Sequence, residues 1–108
     1  MMEWIEVCRL EQIPPLGARL LPQPGGNISL FRTSDNRVYA LADRCPHKNG
    51  PLSQGIVHGR SVTCPLHDWV IDLATGKAAE PDIGCTASYP VRIESDVVMI
   101  ALKRATVT

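Results

Sequence analysis

The sequence predicts an all-β domain, an antiparallel sandwich or partial barrel, and three observations lead there. Short runs rich in Val, Ile and Leu recur along its 108 residues. Eight Gly and nine Pro fall between those runs and punctuate them. No segment carries the sustained period of a long helix.

Taken in order, the expected strands are 4–8, 19–21, 28–33, 38–43, 62–64, 69–72, 91–94 and 97–102. Residues 9–13 suit one helical turn, which Pro14-Pro15 stops by fixing φ and removing two amide donors. Turns are expected at Pro22-Gln-Pro-Gly-Gly26 and at Ser34-Asp-Asn36, where Pro sets φ and Gly or Asn accepts positive φ. His58-Gly59, between Ile56-Val57 and Arg60-Ser-Val62, suits a tight hairpin. Frequent short strands separated by turns make a sandwich or barrel. One stretch departs from this pattern. Residues 44–65 are poor in strand runs and hold three Pro, three Gly, two of the four Cys and two of the three His, with His67 just beyond. Loop formers combined with soft ligands imply a segment ordered by a metal rather than by apolar packing.

Length and composition bound the function. A chain of 108 residues and 11.8 kDa is expected to be a single domain, 1–108. Such a chain buries a modest core that gains from a staple such as a metal. Lys plus Arg equals Asp plus Glu at 11 each, which gives no electrostatic reason to expect nucleic acid or an anionic membrane as partner. No apolar stretch reaches the 18 or so residues of a membrane span. The opening Met-Met-Glu-Trp-Ile-Glu has no basic segment followed by an apolar run, so the expectation is a cytoplasmic protein, where cysteines bind metal more often than they form disulfides.

Two motifs carry the chemistry: Cys45-Pro46-His47 and Cys64-Pro65-Leu66-His67, separated by 16 residues. Each offers one thiolate and one imidazole. Four such ligands can hold one zinc tetrahedrally, or a [2Fe–2S] cluster with two Cys on one iron and two His on the other. Zinc pairs usually group like ligands, Cys with Cys and His with His. Here each half is mixed, so two facing loops can put both Cys on one side of a centre and both His on the other, which favours the unlike ends of a two-iron cluster. A zinc-stapled structural module remains the alternative from the residues alone.

The string Cys45-Pro-His-Lys-Asn-Gly-Pro-Leu-Ser-Gln-Gly55 followed by Cys64-Pro-Leu-His-Asp-Trp69 resembles the Rieske ferredoxin signature, and the likeness runs on through Asp72-Leu-Ala-Thr-Gly-Lys77. More narrowly, Gly55-Ile-Val-His-Gly-Arg-Ser-Val-Thr-Cys-Pro-Leu-His67, with Gly84-Cys-Thr and Tyr89-Pro-Val-Arg92, resembles the small subunit of assimilatory NAD(P)H-dependent nitrite reductase. The resemblance implies a Rieske-type antiparallel β-sandwich or partial barrel with an inserted loop-rich cluster-binding subdomain at about residues 44–72. It implies one [2Fe–2S] cluster per chain, bound by Cys45 and Cys64 on the inner iron and by His47 and His67 on the outer. It also implies one-electron transfer to or from a large siroheme and flavin nitrite reductase subunit. The second reading is the ferredoxin component of an aromatic-ring-hydroxylating dioxygenase, serving a flavoprotein reductase and an oxygenase. The chain itself has no G-x-G-x-x-G and too little length for flavin or siroheme chemistry, so a non-catalytic subunit is expected.

High-potential respiratory relatives bridge their cluster loops with a disulfide. The matching positions here are Gly50 and Leu66, and Asp68 and Trp69 follow the second His where a Ser and Tyr hydroxyl pair would stand. Fewer donors to the cluster sulfurs predict a potential in the lower part of the class range. Other residues read more simply. Cys8 and Cys85 are expected to be buried or idle thiols, and His58 a solvated turn residue. Trp69 and Leu66 are expected to wall the cluster loop off from water. Lys48, with Pro46 and Leu66, is either a docking rim or simply solvated. Pro81 belongs either to a third loop over the cluster or to an ordinary turn.

Overall fold

The computed structural model describes residues 2–24, 26–45, 50–65, 68–80 and 82–103. Among them are ten strands in three antiparallel sheets and no α-helix. In the first sheet β1 (Met2–Arg9) pairs with β10 (Val97–Lys103), which pairs with β9 (Val91–Glu94). In the second, β2 (Ala18–Leu21), β3 (Ile28–Arg32), β4 (Val38–Ala42) and β8 (Ser88–Tyr89) lie side by side in that order. The third is a small meander of β5 (Ile56–His58), β6 (Ser61–Thr63) and β7 (Val70–Asp72). The register of β1 against β10 shifts between Glu6 and Cys8, a bulge in an edge strand.

All eight expected strands are present, with ends displaced by two residues or fewer. The helical turn expected at 9–13 is the 3-10 turn Leu10–Gln12, where the Gln12 side chain accepts the Arg9 backbone N–H at 2.8 Å. Residues 44–65 hold one strand more than the eight expected, because β5 falls there beside the expected β6. Their hairpin turns at Gly59-Arg60 rather than His58-Gly59: His58 pairs with Ser61, and Gly59 takes φ 56°. The pattern is weak because Val57 alone is buried in β5, while Ile56 is 70% exposed. The two-residue β8 carries no alternation and is held by pairing of Tyr89 with Ala40 and Ser88 with Leu41.

Two apolar cores lie on opposite faces of the β3–β4 pair, because alternate strand residues point to opposite sides. Ile28, Leu30, Val38 and Ala40 join Cys8, Ile13, Val98 and Ile100 in one core. Phe31 and Leu41 join Leu52, Val57, Val62, Ile71, Leu73, Cys45 and Cys64 in the other. A run of backbone hydrogen bonds connects the small meander to the second sheet. The Ala79 amide donates to Val70, that of Ala78 to Gly84, that of Thr86 to Gly76 and that of Ala42 to Ala87, at 2.8–2.9 Å. The run is tight at Gly76, whose φ is 76° and where a Cβ would stand 2.2 Å from the Thr86 carbonyl oxygen.

Candidate metal centre

Cys45 follows β4 after the bend at Asp43-Arg44, and Cys64 follows β6 directly. Each precedes a proline, which disfavours helical backbone at the cysteine and lets the chain leave its strand extended. Both loops close with the same bond. The Cys45 amide donates to the Gly50 carbonyl at 2.7 Å, and the Cys64 amide donates to the Trp69 carbonyl, also at 2.7 Å. In each case the acceptor lies five residues on. The second loop is tightened further by the Asp68 amide, which donates to the Cys64 carbonyl at 3.2 Å while Asp68 takes φ 56°.

The two cysteines are 1% exposed and belong to one buried cluster, with Leu52, Val57, Val62, Ile71 and Leu73 around them and Trp69 packed against it. Trp69, half-buried, packs against this cluster beside the second loop. Enclosing two thiols in one apolar cluster fits a soft metal centre. A metal would take both cysteines as thiolates and compensate their charge. His47 and His67 lie outside the described residues, as do Pro46, Lys48, Leu66 and Pro81. Among the described residues no group of three or more His, Cys, Asp or Glu is placed to share a metal ion.

The remaining candidates separate cleanly from this pair. Cys8 is buried in the other core, where burial raises its thiol pKa and nearby Arg19 partly offsets the rise. Cys85 is exposed and its backbone bridges to Lys77. His58 is exposed, as expected, with its Nε2 2.6 Å from the Thr63 hydroxyl.

Sequence reasoning passed over three residues beside the loops. The Asp43 carboxylate accepts the Ser53 amide at 2.7 Å and the Ser53 hydroxyl at 3.0 Å, across the first loop. Gly55 lies so close to β6 that a Cβ would stand 2.2 Å from the Thr63 carbonyl oxygen. The available signal was Leu-Ser-Gln-Gly after a turn proline, which marks a tight turn and says nothing of a distant acid.

The sequence matches the Rieske-like [2Fe–2S] domain family over residues 3–101. It is 33% identical over 101 residues to the ferredoxin component of the naphthalene 1,2-dioxygenase system of Pseudomonas aeruginosa, spanning 93% of this chain and 96% of that one. The fold is similar to the ferredoxin of carbazole 1,9a-dioxygenase from Nocardioides aromaticivorans, with a TM-score of 0.81, 27% identity and coverage of 93% and 98%. It is similar also to a protein described as a nitrite reductase NADPH small subunit, with a TM-score of 0.80, 25% identity and coverage of 91% and 97%. No helix among the described residues is long and apolar enough to cross a membrane. With two buried cysteines on matching loops of an all-β frame, this chain belongs to the Rieske-like [2Fe–2S] domain family and is an electron-transfer protein of the Rieske type.

Proposed function

We propose that residues 1–108 form one domain whose segment 44–72 holds the cluster through Cys45, His47, Cys64 and His67, and that the protein serves as the small subunit of an NAD(P)H-dependent nitrite reductase. The observation that carries the ligand assignment is the burial of Cys45 and Cys64 together in one apolar cluster, each on a loop closed by the same backbone bond. When bound, the cluster supplies a single reversible one-electron site, and His ligation raises such sites to about −150 to +300 mV. Cys45 and Cys64, both buried, would hold one iron as thiolates. His47 and His67 would hold the other iron through their ring nitrogens, as the family resemblance implies. Gly50 and Leu66 supply no disulfide between the loops, so the potential falls in the lower part of that range.

Support for the nitrite reductase role comes from the string Gly55 to His67, from Gly84-Cys-Thr and Tyr89-Pro-Val-Arg92, and from the likeness to a nitrite reductase NADPH small subunit. In this reading a large siroheme and flavin subunit reduces nitrite to ammonium, and this chain carries or buffers single electrons for it. The 33% identity to a dioxygenase ferredoxin favours a second reading, a mobile carrier between a flavoprotein reductase and an oxygenase. Co-purification from the native source separates them. A stable complex with a siroheme protein is expected, and a chain that isolates alone and accepts electrons from a flavoprotein reductase would overturn the first reading in favour of the second. Iron and acid-labile sulfide analysis should give two of each per chain, with zinc absent. A redox titration should fall below roughly +100 mV, within the class range.

A further inference from the structure

We infer that Asp43, Ser53 and Gly55 form a strut that sets the spacing of Cys45 and Cys64, so that Asp43 and Ser53 are positioning residues for the metal centre. The inference rests on the ligand assignment proposed above. Asp43 lies two residues before Cys45. Its two carboxylate oxygens take the Ser53 backbone N–H at 2.7 Å and the Ser53 hydroxyl at 3.0 Å, both part-buried. The cause is local. Ser53 sits in the 3-10 turn Leu52–Gln54, whose preceding residue, Pro51, makes no side-chain cap. The first amides of such a turn lack partners within it, and Asp43 supplies one from ten residues away. A carboxylate accepting two donors at once also fixes direction, because charge-assisted bonds of this kind are short and strong.

The other end of the turn presses on the second loop. The Gly55 amide closes the turn onto the Leu52 carbonyl at 2.9 Å. Gly55 has an ordinary φ of −80°, so glycine is needed there for the close approach rather than for the backbone conformation. A Cβ would meet the Thr63 carbonyl oxygen at 2.2 Å and Val62 Cγ2 at 3.0 Å. Thr63 directly precedes Cys64. Leu52, fully buried, anchors the turn in the cluster that contains both cysteines. One short turn is thus tied to the stem of Cys45 and wedged against the stem of Cys64. Two thiolates that share an iron tolerate little error in separation, and functional constellations are held to within about 0.5 Å by such supporting contacts.

The test follows cluster loss from the iron-loaded protein to a chelator by visible absorbance, together with the electron paramagnetic resonance spectrum of the reduced protein. Asp43→Ala and Gly55→Ala should speed cluster loss about 10-fold or more, the scale seen when groups supporting metal ligands are removed. Ser53→Ala, which keeps its backbone N–H on Asp43, should speed it less. Asp43→Asn should restore both the rate and the spectrum. Its amide oxygen accepts the Ser53 N–H and its NH2 donates to the Ser53 oxygen. Ile100→Val, in the far core, should lower the melting temperature and leave both readouts alone. The strut is refuted by an Asp43→Ala protein that releases iron at the wild-type rate. An Asp43→Asn protein that restores neither readout, or an Ile100→Val protein that releases iron as fast as Asp43→Ala, refutes it equally. If Asp43→Ala does not accumulate folded, the comparison of Ser53→Ala with wild type and Ile100→Val decides the matter. A Rieske signal that survives both Cys45→Ser and Cys64→Ser overturns the ligand assignment, and the strut with it.

Discussion

The two cores on either face of β3 and β4 are built from the same kinds of side chain and held in different ways. Around Ile28, Leu30, Val98 and Ile100 the walls are long strands, with β1 pairing β10 from Met2 and Lys103 through to Arg9 and Val97. Around Cys45, Cys64, Leu52 and Ile71 the walls that face β3 and β4 are three-residue strands and loops. Isolated short strands are marginal in water. The first core can stand on packing and ladder hydrogen bonds. The second gains from a bond outside its own secondary structure, which the proposed ligation of a cluster by its cysteines would supply. The cysteines follow the same division: Cys8 is enclosed in the self-supporting core, and Cys45 and Cys64 sit where support is short.

Replacing Cys45 or Cys64 with Ser should have the largest effect. Visible absorbance and bound iron should vanish, and amide protection should fall across residues 44–72 while amides of β1, β3 and β10 stay protected. Hydrogen exchange would break the comparison if both regions lost protection together. Next in size, Leu30→Ala should lower unfolding free energy by about 2–5 kcal/mol in iron-loaded and metal-free protein alike. Leu52→Ala should cost a similar amount with iron bound and much less without it, because that end has then already loosened. Denaturant titrations of the four samples would show this. Gly76→Ala should destabilise by more than about 1 kcal/mol, since positive φ and the close Thr86 carbonyl both oppose a Cβ. A thermal melt matching wild type would show that the link between meander and second sheet is slack.

Cys8→Ser should have the smallest effect and leave the visible spectrum intact. Burial holds the Cys8 thiol above its ordinary pKa, so the unfolded chain loses that proton first as pH rises. The stability this thiol contributes is whole below about pH 8.5, the ordinary thiol value, and is lost as pH climbs through the raised one. The variant should therefore show a flatter alkaline limb in a pH series of melts. A bleached Cys8→Ser protein would mean that the division between the two cores is misdrawn.

Much of this was legible in the sequence, for reasons that also mark where legibility ends. The run Val97 to Leu102 buries Val98 and Ile100 between half-buried Val97 and Met99 on a strand paired on both sides, so its pattern survives in a single chain. Ile56 to His58 buries Val57 alone, and Ser88-Tyr89 buries neither residue fully, so no periodicity announces either strand. The fully buried stretch from Ile28 to Phe31 serves both cores at once, and Ser29 sits inside it with its hydroxyl donating to the Leu41 carbonyl at 3.3 Å. The sequence marked Cys45 and Cys64 as a pair because each stands beside a His at short spacing, and the fold buries both in one cluster. The Asp43–Ser53 pair was not, because a carboxylate meeting a turn ten residues later is a product of the fold.

The bulge between Glu6 and Cys8 bears on how the chain behaves among its own copies. β1 is eight residues long and lies at the rim of its sheet, so an unbroken version would offer a ready template for another molecule to add a strand. The irregular register interrupts that template, and the exposed carboxylates of Glu3 and Glu6 place charge on the same strand. A long regular edge is a liability for strand addition, and a bulge of this kind is one of the devices that blunt it.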